Sequence, residues 1–537
     1  MSLTSAVTAI GNLPTNQLAS GAAILGVLSH WTYFIHDERD RQAWEYLLTL
    51  IGTPPVLVSL VHFAGGKTIG DAGYIIAVAT GSFLVALYGS IIVYRLWFHP
   101  LRKFPGPPMA RLTKVYYAYK YSQSKGRYYE VQKEWFAKYG NVVRTGPNEI
   151  TTIDPNALQV LSKTNKGTWY VFGEPTPSIQ LVRDITTHSI RRRVWDKALS
   201  AKAIEGYLPH IRRHISLLLP QLAGEVDISR FFSYYAFDTM GVITYGRSFN
   251  MLEKAGRDGS DYFLRMTHAS MRTLGLLAHI PWTLVLLENL GAAGKDHTNF
   301  LKWCDEISQE RKQRGKGDDI FGVLLDVEPQ NVGQHHIPLA GDSRTAIVAG
   351  SDTTASTLIS LIAYLCSEPL VRQKLQEDVD KHGAESEYLE ACINEALRLN
   401  PAVPSGTPRY SPPEGLVLED GRRVPGGINM LFPLHAAQRD PRWFDSPEEF
   451  LPERWINPGP EQFARMNTVF QPFWVGRYQC AGKALAMTQL KMVTAAVVQK
   501  YAFHFKEGWT IERAMEGAID TFTMEMKSVW CVFSERI

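Results

Sequence analysis

The chain is poor in cysteine. Its 537 residues hold five, at positions 304, 366, 392, 480 and 531, and none forms a Cys-x-x-Cys pair. An odd, scattered set argues against a disulfide framework and a structural zinc site, and fits a reducing compartment. An excess of one charge is also missing. Fifty-six Lys and Arg face 53 Asp and Glu, a net +3 without a long basic run, so nothing points to nucleic acid. Asn-x-Ser/Thr acceptors, internal repeats and a Gly-rich dinucleotide loop are absent from the sequence. What is present is 45% hydrophobic and 11% aromatic residues, enough for a large folded core.

The first hundred residues carry three apolar stretches, at about 18–35, 46–64 and 74–96. Each is close to the ~20 residues that cross a bilayer. The third has no charge from Tyr74 to Tyr94. The second contains Pro54-Pro55, which predicts a kink or a re-entrant segment. The first is interrupted by Ser29, His30 and Thr32 and ends in Trp31, Tyr33 and Phe34, an interfacial aromatic belt. No Lys or Arg precedes Leu18, so a cleaved signal peptide fits poorly. Arg95, Arg102, Lys103, Arg111 and Lys114 follow the third stretch and place that side in the cytosol. Three spans leave the N-terminus lumenal; one span with buried hairpins is the alternative. A proline-rich connector, His99 to Pro108, comes next. The expected organisation is a membrane-anchoring region over 1–98 with up to three transmembrane segments, a proline-rich hinge over 99–108, and a folded domain over 109–537.

Within that domain, 141–144 and 149–153 alternate as strands do. The aromatic-rich segment Thr168–Pro177 breaks all periodicity, and either covers a pocket or packs on the core. On a helix, His188 and Arg192 share one face a turn apart and can bond a carboxylate. In the run Arg191-Arg192-Arg193, Arg192 is expected to turn inward and its neighbours outward, where they suit an acidic electron donor. Residues 203–315 are helical; their apolar parts, Tyr262–Leu264 and Leu274–Trp282, belong to the core or dip into a bilayer. A long apolar helix to about Cys366 carries Gly350, Asp352, Thr353 and Thr354, poor helix formers in its middle. A threonine hydroxyl bonding back to an earlier carbonyl can open such a helix. Glu395 and Arg398 lie three apart on a further helix, followed by Arg454, and Asp420-Gly421 marks a hairpin. Near the end stands Gln471-Pro472-Phe473-Trp474-Val475-Gly476-Arg477-Tyr478-Gln479-Cys480-Ala481-Gly482. It reads as a tight loop, with a helix from about Lys483. A helix N-terminus favours an anionic sulfur, and one such thiolate suits an axial position on haem iron.

Four of these patterns together resemble the cytochrome P450 family. They are Phe473-x-x-Gly476 with Cys480 and Gly482, the Gly350-x-Asp352-Thr353-Thr354 helix, Glu395-x-x-Arg398, and Phe450 to Trp455 with Arg454. The resemblance extends over about Pro105 to Ile537. It departs at one point: the family's Arg two residues before the cysteine is Tyr478 here, with Arg477 one place earlier. The resemblance implies a mostly α fold with small β-sheets, preceded by N-terminal transmembrane helices. It implies heme b with Cys480 as axial thiolate, and propionates held by His188, Arg192 and Arg409. Asp352 and Thr353 would deliver protons and bond iron-bound oxygen, and Arg454 would join Glu395 and Arg398 in a buried brace. The implied reaction is insertion of one oxygen atom from O2 into a small apolar organic substrate, as in fungal secondary metabolism. Electrons would come from NADPH-cytochrome P450 reductase at the endoplasmic reticulum membrane, with membrane lipid around the anchor. Oxidative phenol coupling or desaturation on the same cofactor, and a haem sensor without turnover, are the alternatives.

Overall fold

A computed structural model describes residues 8–9, 11–173, 177–292, 294–327 and 339–536. Of the Thr168–Pro177 segment, residues 174–176 lie outside the described residues. The chain forms two compact units. One contains Met1–Tyr116, Arg144–Asn148 and Ile280–Ala293; the other contains Tyr117–Val143, Glu149–His279 and Gly294–Ile537.

The first unit holds α1 (Thr15–Ser29), α2 (Ala43–Phe63) and α3 (Ile69–Val93). α1 and α3 approach closely at Gly26, where a Cβ would lie 2.4 Å from the Phe83 carbonyl oxygen. Helices in an apolar medium associate through such small-residue contacts. Asp40–Phe63 and Ile69–Phe98 are long and apolar enough to cross a membrane. Their apolar side chains face outward: Ile51, Phe63 and Val85 are each more than half exposed. The stretch expected at 18–35 is helical: α1 over Thr15–Ser29 is continued without a break by a π-turn over His30–Phe34. Pro54 and Pro55 sit inside α2 without ending it, so the re-entrant segment is not formed. The proline-rich connector folds as two short turns, Pro100–Lys103 and Pro108–Leu112, with the Pro105 carbonyl accepting from Arg144 N at 2.7 Å. The Pro281–Asn289 helix packs on α2. Trp282 therefore belongs with the anchor and not with the main core.

The second unit is mostly helical, with small sheets, as expected. Its axis is α9 (Leu339–Ser367), whose C-terminal half is buried on all sides. A helix apolar all round belongs in a core, and although α9 is long and apolar enough to cross a membrane, it is buried in protein. Around it lie α4 (Ile185–Ala198), α5 (Ala201–Gln221), α6 (Ile228–Tyr245), α7 (Tyr262–Leu277), α8 (Lys295–Gln313), α10 (Glu387–Leu399) and α11 (Lys483–Lys500). Asp184 caps α4, accepting from Thr187 N at 2.7 Å, which fixes where the His188 face begins. The strands are β1 (Val142–Gly146), β2 (Glu149–Thr152), β3 (Gly224–Asp227), β4 (Arg409–Tyr410), β5 (Leu416–Val417), β6 (Arg423–Val424), β7 (Asn429–Leu431), β8 (Tyr501–Phe505), β9 (Ala518–Thr521), β10 (Thr523–Met526) and β11 (Trp530–Glu535). β7 pairs parallel with β2 and antiparallel with β4. β5 and β6 form the hairpin expected around Asp420-Gly421.

The Glu395 brace is complete. Arg398 donates to both Glu395 oxygens, Nε to Oε2 at 2.9 Å and Nη2 to Oε1 at 2.8 Å. Arg454 Nε adds 3.0 Å to Oε1, and Trp455 Nε1 adds 2.9 Å to Oε2. Glu395 and Arg398 have no solvent exposure. The remaining guanidinium protons go to loop carbonyls: Arg398 to Gln438, Pro447 and Glu449, Arg454 to Asp445 and Ser446. One carboxylate thus pins the segment that leads into the cysteine loop.

Candidate active site

A cavity of about 320 Å³ opens between α4, α9, the 402–409 segment and the cysteine loop. Its walls are mainly apolar, and it brings together Cys480, Phe473, Gly482, His188, Arg192, Arg409 and Thr353. Gly476 is not on its wall. At φ +77° it turns the loop where a Cβ would come within 2.5 Å of the Ser162 carbonyl oxygen, which only glycine tolerates without strain. Gly406, Thr407, Phe522 and Thr523 also line the cavity.

The cysteine loop folds back on itself, with Cys480 N donating to the Phe473 carbonyl at 2.9 Å. Cys304, Cys366, Cys392 and Cys531 are buried, whereas the Cys480 side chain is exposed, and what it is exposed to is the cavity. Burial away from bulk water raises the Cys480 pKa; the Gly482 and Lys483 N–H groups and the charges of Arg192 and Lys483 pull the other way. Those N–H groups open α11 and point toward the sulfur, the geometry that stabilises a thiolate. Among the described residues no group of three His, Cys, Asp or Glu could hold a metal ion. A metal at Cys480 therefore needs its other ligands from a cofactor.

Opposite the apolar walls the cavity is cationic. Lys166, Arg192 and Arg409 line it together with His188, and among the described residues no Asp or Glu does. Arg409, on β4, is 4% exposed and packs over the rings of Tyr478, Tyr170 and Trp474 at 4.9, 5.2 and 5.7 Å. Lys166 was not anticipated. It forms an isolated β-bridge with Arg409 and sits 4.7 Å over the Tyr478 ring. Its Nζ donates to the Ile179 and Val182 carbonyls at 3.1 and 2.8 Å. Burial, then Arg409, pushes the Lys166 pKa well below that of a free lysine. The His188 ring meets Tyr478 edge-on at 4.7 Å. Burial, followed by the charges of Lys166, Arg192, Arg477 and Arg409, lowers the His188 pKa to about 3. It is a neutral hydrogen-bonding group at ordinary pH, not a cation. Tyr478 thus fills the place of the missing arginine with a ring that carries two cations, and Arg477 is exposed beside it.

Three buried nitrogens here, His188 Nδ1, Arg409 Nε and Trp474 Nε1, have no protein partner. Unpaired buried donors are costly. An apolar cavity with one sulfur on its wall, uncompensated cations and orphaned donors fits a flat, apolar ring bearing acidic groups, as haem does.

Two expectations need correction. Arg191 does not face outward: it is buried and pairs with Asp342 on α9, which also accepts from Trp195 Nε1 at 3.1 Å and Ile179 N at 2.8 Å. Arg192 is only partly turned in, lining the cavity while its Nε bonds Asp196 at 2.7 Å and its Nη1 reaches the Gln479 carbonyl. Nor does α9 open at its threonines. Thr353 and Thr354 bond back to Ala349 and Gly350 carbonyls at 2.6 and 2.9 Å, yet the helix is continuous. Thr353 faces the cavity; Asp352, the next residue, does not, and bonds His268 Nε2 at 3.3 Å.

Known proteins are similar to this chain along its length. A model of the cytochrome P450 family matches residues 105–531. The chain is 34% identical to cytochrome P450 monooxygenase FCK2 of Fusarium pseudograminearum, over 96% of this chain and 97% of that one. It is 33% identical to cytochrome P450 monooxygenase nodW of Hypoxylon pulicicidum, over 96% and 97%. It is 29% identical to tryprostatin B 6-hydroxylase of Neosartorya fischeri, over 96% and 98%. The chain belongs to the cytochrome P450 family and is a haem-thiolate monooxygenase that acts with O2 and a redox partner on an organic substrate.

Proposed function

We propose that this chain inserts oxygen into a small apolar metabolite of fungal secondary metabolism, with Cys480 as the axial thiolate of heme b. The observation that carries the residue assignment is the pairing of one cavity-facing sulfur with a cationic wall that lacks counter-charge. Haem held by a thiolate supplies an iron centre whose ligand pushes electron density toward O–O cleavage. The chain's own residues do the rest. Arg409, Arg192 and Lys166 bind the acidic groups of the ring, and neutral His188 adds a hydrogen bond. Phe473 and Gly482 shape the ring's sulfur side, and Gly476 sets the loop. Thr353 presents a hydroxyl to the cavity, and Asp352 behind it serves the proton path. The apolar wall of Ala346, Ala349, Val403 and Phe522 excludes water and orients an apolar substrate.

Electrons come from NADPH-cytochrome P450 reductase; exposed Arg193 and Arg477 offer basic groups to an acidic donor. Residues 1–98 anchor the chain in the endoplasmic reticulum among membrane lipid, with Arg95, Arg102 and Lys103 keeping 109–537 in the cytosol. The 99–108 segment is the connector between them. The test is turnover with purified reductase, NADPH and isotopically labelled O2, on compounds chosen by their spectral shift of the haem. One labelled oxygen per product is expected. Product with no labelled oxygen means coupling or desaturation instead.

A further inference from the structure

Asp352 turns its carboxylate away from the cavity and into a row of titratable side chains drawn from three elements. His268, on α7, is bonded through Nε2 to Asp352 Oδ1 at 3.3 Å. Its other nitrogen, Nδ1, lies 3.7 Å from Glu525 Oε1 on β10. Glu525 is gripped by Arg272, one turn along α7 from His268: Arg272 Nε donates to Oε2 at 2.8 Å and Nη2 to Oε1. The row reaches solvent at Arg272 and at part of His268. Asp352 and Glu525 side chains are 7% and 6% exposed, His268 is 20% and Arg272 is 52% exposed. The Phe237 ring meets the His268 ring edge-on at 6.3 Å.

We propose that His268 and Glu525 form the proton inlet of this monooxygenase, carrying protons from solvent to Asp352. Oxygen insertion consumes two protons and two electrons per O2, one oxygen entering the substrate and the other leaving as water. Imidazole is suited to such a passage because it can release a proton at one nitrogen while gaining one at the other. His268 Nε2 gives its proton to Asp352 Oδ1; Glu525 Oε1, 3.7 Å away, passes one to Nδ1; Glu525 regains it from water reaching the small part of its side chain, 6%, that is left uncovered. No charge accumulates and no bond other than to hydrogen changes. Arg272 stays protonated throughout and holds Glu525 in place, so it is a positioning residue. A purely structural ion pair between Asp352 and α7 is better served by Arg, which stays protonated.

The local charges agree. Burial lowers the pKa of His268, but the Asp352 hydrogen bond and the charges of Asp352 and Glu525 outweigh it, against Arg272, and the net shift is upward from 6.5. The imidazolium is thus kept to higher pH than in water. The inlet is loaded below that raised pKa and unloaded as pH rises through it.

The inference rests on Asp352 serving proton delivery, and the experiment separates the two claims. His268→Gln, Glu525→Gln and Asp352→Asn are compared in the reductase-reconstituted holoenzyme, each checked for an intact carbon-monoxide spectrum. Hydrogen peroxide released per NADPH is measured from pH 6 to 9 with 7-ethoxycoumarin as probe. Starved of protons, the enzyme sheds its electrons as peroxide. His268→Gln is expected to raise the peroxide fraction several-fold toward the value of Asp352→Asn and to flatten its pH dependence, within the ~10²-fold reach of general acid catalysis. Histidine C2-hydrogen exchange read by mass spectrometry supplies a measure independent of turnover. The His268 pKa should lie above 6.5 and fall in Asp352→Asn and in Glu525→Gln. If Asp352→Asn raises peroxide and His268→Gln leaves both its level and its pH profile unchanged, the inlet is wrong and the role of Asp352 stands. If Asp352→Asn itself changes nothing, the underlying role fails and the inlet with it. A His268 pKa indifferent to Glu525→Gln removes Glu525 from the path.

Discussion

At Glu395 and at the wall beside Cys480 the same unit buries charge in opposite ways. Glu395 is met by two guanidinium groups, an indole N–H and the Leu451 amide, and the spare guanidinium protons are spent on carbonyls. Beside Cys480, Lys166 and Arg409 lie side by side with no carboxylate within ion-pair reach among the described residues, and His188 and Trp474 keep unpaired nitrogens. The first arrangement is closed and holds a loop. The second is open and is completed only by an anion from outside the chain. Charge balance, more than the number of charges, separates a brace from a binding wall.

The largest effect should come from opening the closed network. Glu395→Gln leaves two buried cations facing a neutral amide, and removing one partner of such a pair costs about 3–5 kcal/mol. The apparent unfolding temperature should drop sharply and little haem should be retained. Next is Gly476→Ala. Forcing a Cβ onto the left-handed backbone beside Ser162 costs roughly 1–3 kcal/mol, read as a lower urea midpoint with a shifted haem spectrum. Lys166→Met should act in opposite directions on the two forms. The haem-free protein loses a buried unpaired cation and gains on the order of 1 kcal/mol, while haem affinity falls of the order of tenfold, measured by haem transfer to a competing apoprotein. A brace residue weakens both forms; this divergence is the signature of the open wall.

The effect that is smallest near neutral pH, and grows only in acid, concerns His188. Its folded pKa, about 3, is depressed from 6.5, because burial and neighbouring cations oppose protonation. Below 6.5 the unfolded chain binds a proton that the folded chain refuses, so stability falls as pH drops from 6.5 toward 3. The haem-free protein should show this slope in thermal melts, and His188→Asn should flatten it, with no difference between them above pH 7.

How much of this could be read beforehand follows from how local each feature is. The cysteine loop, Asp352-Thr353 and Glu395-x-x-Arg398 were legible because their parts sit within a few residues on one loop or helix. The three arginines at 191–193 were misassigned in part. Successive helix positions point ~100° apart, and periodicity alone does not say which azimuth meets Asp342, a residue on a different helix. Lys166 was invisible for a related reason: it becomes a site residue only when Asn165–Gly167 aligns with β4, far along the chain. Pro54-Pro55 bore on the anchor in another way: of the kinked or re-entrant alternatives they left open, the re-entrant one is excluded by a helix that continues through both prolines.

The central claim is that the Cys480 sulfur is the iron's thiolate ligand. It is tested most directly by Cys480→Ala, with the reduced carbon-monoxide spectrum and reductase-driven NADPH turnover measured on purified protein. The account predicts a folded protein, its Glu395 brace intact, that loses the thiolate-type spectrum and turnover together. A variant that keeps both unchanged would contradict it.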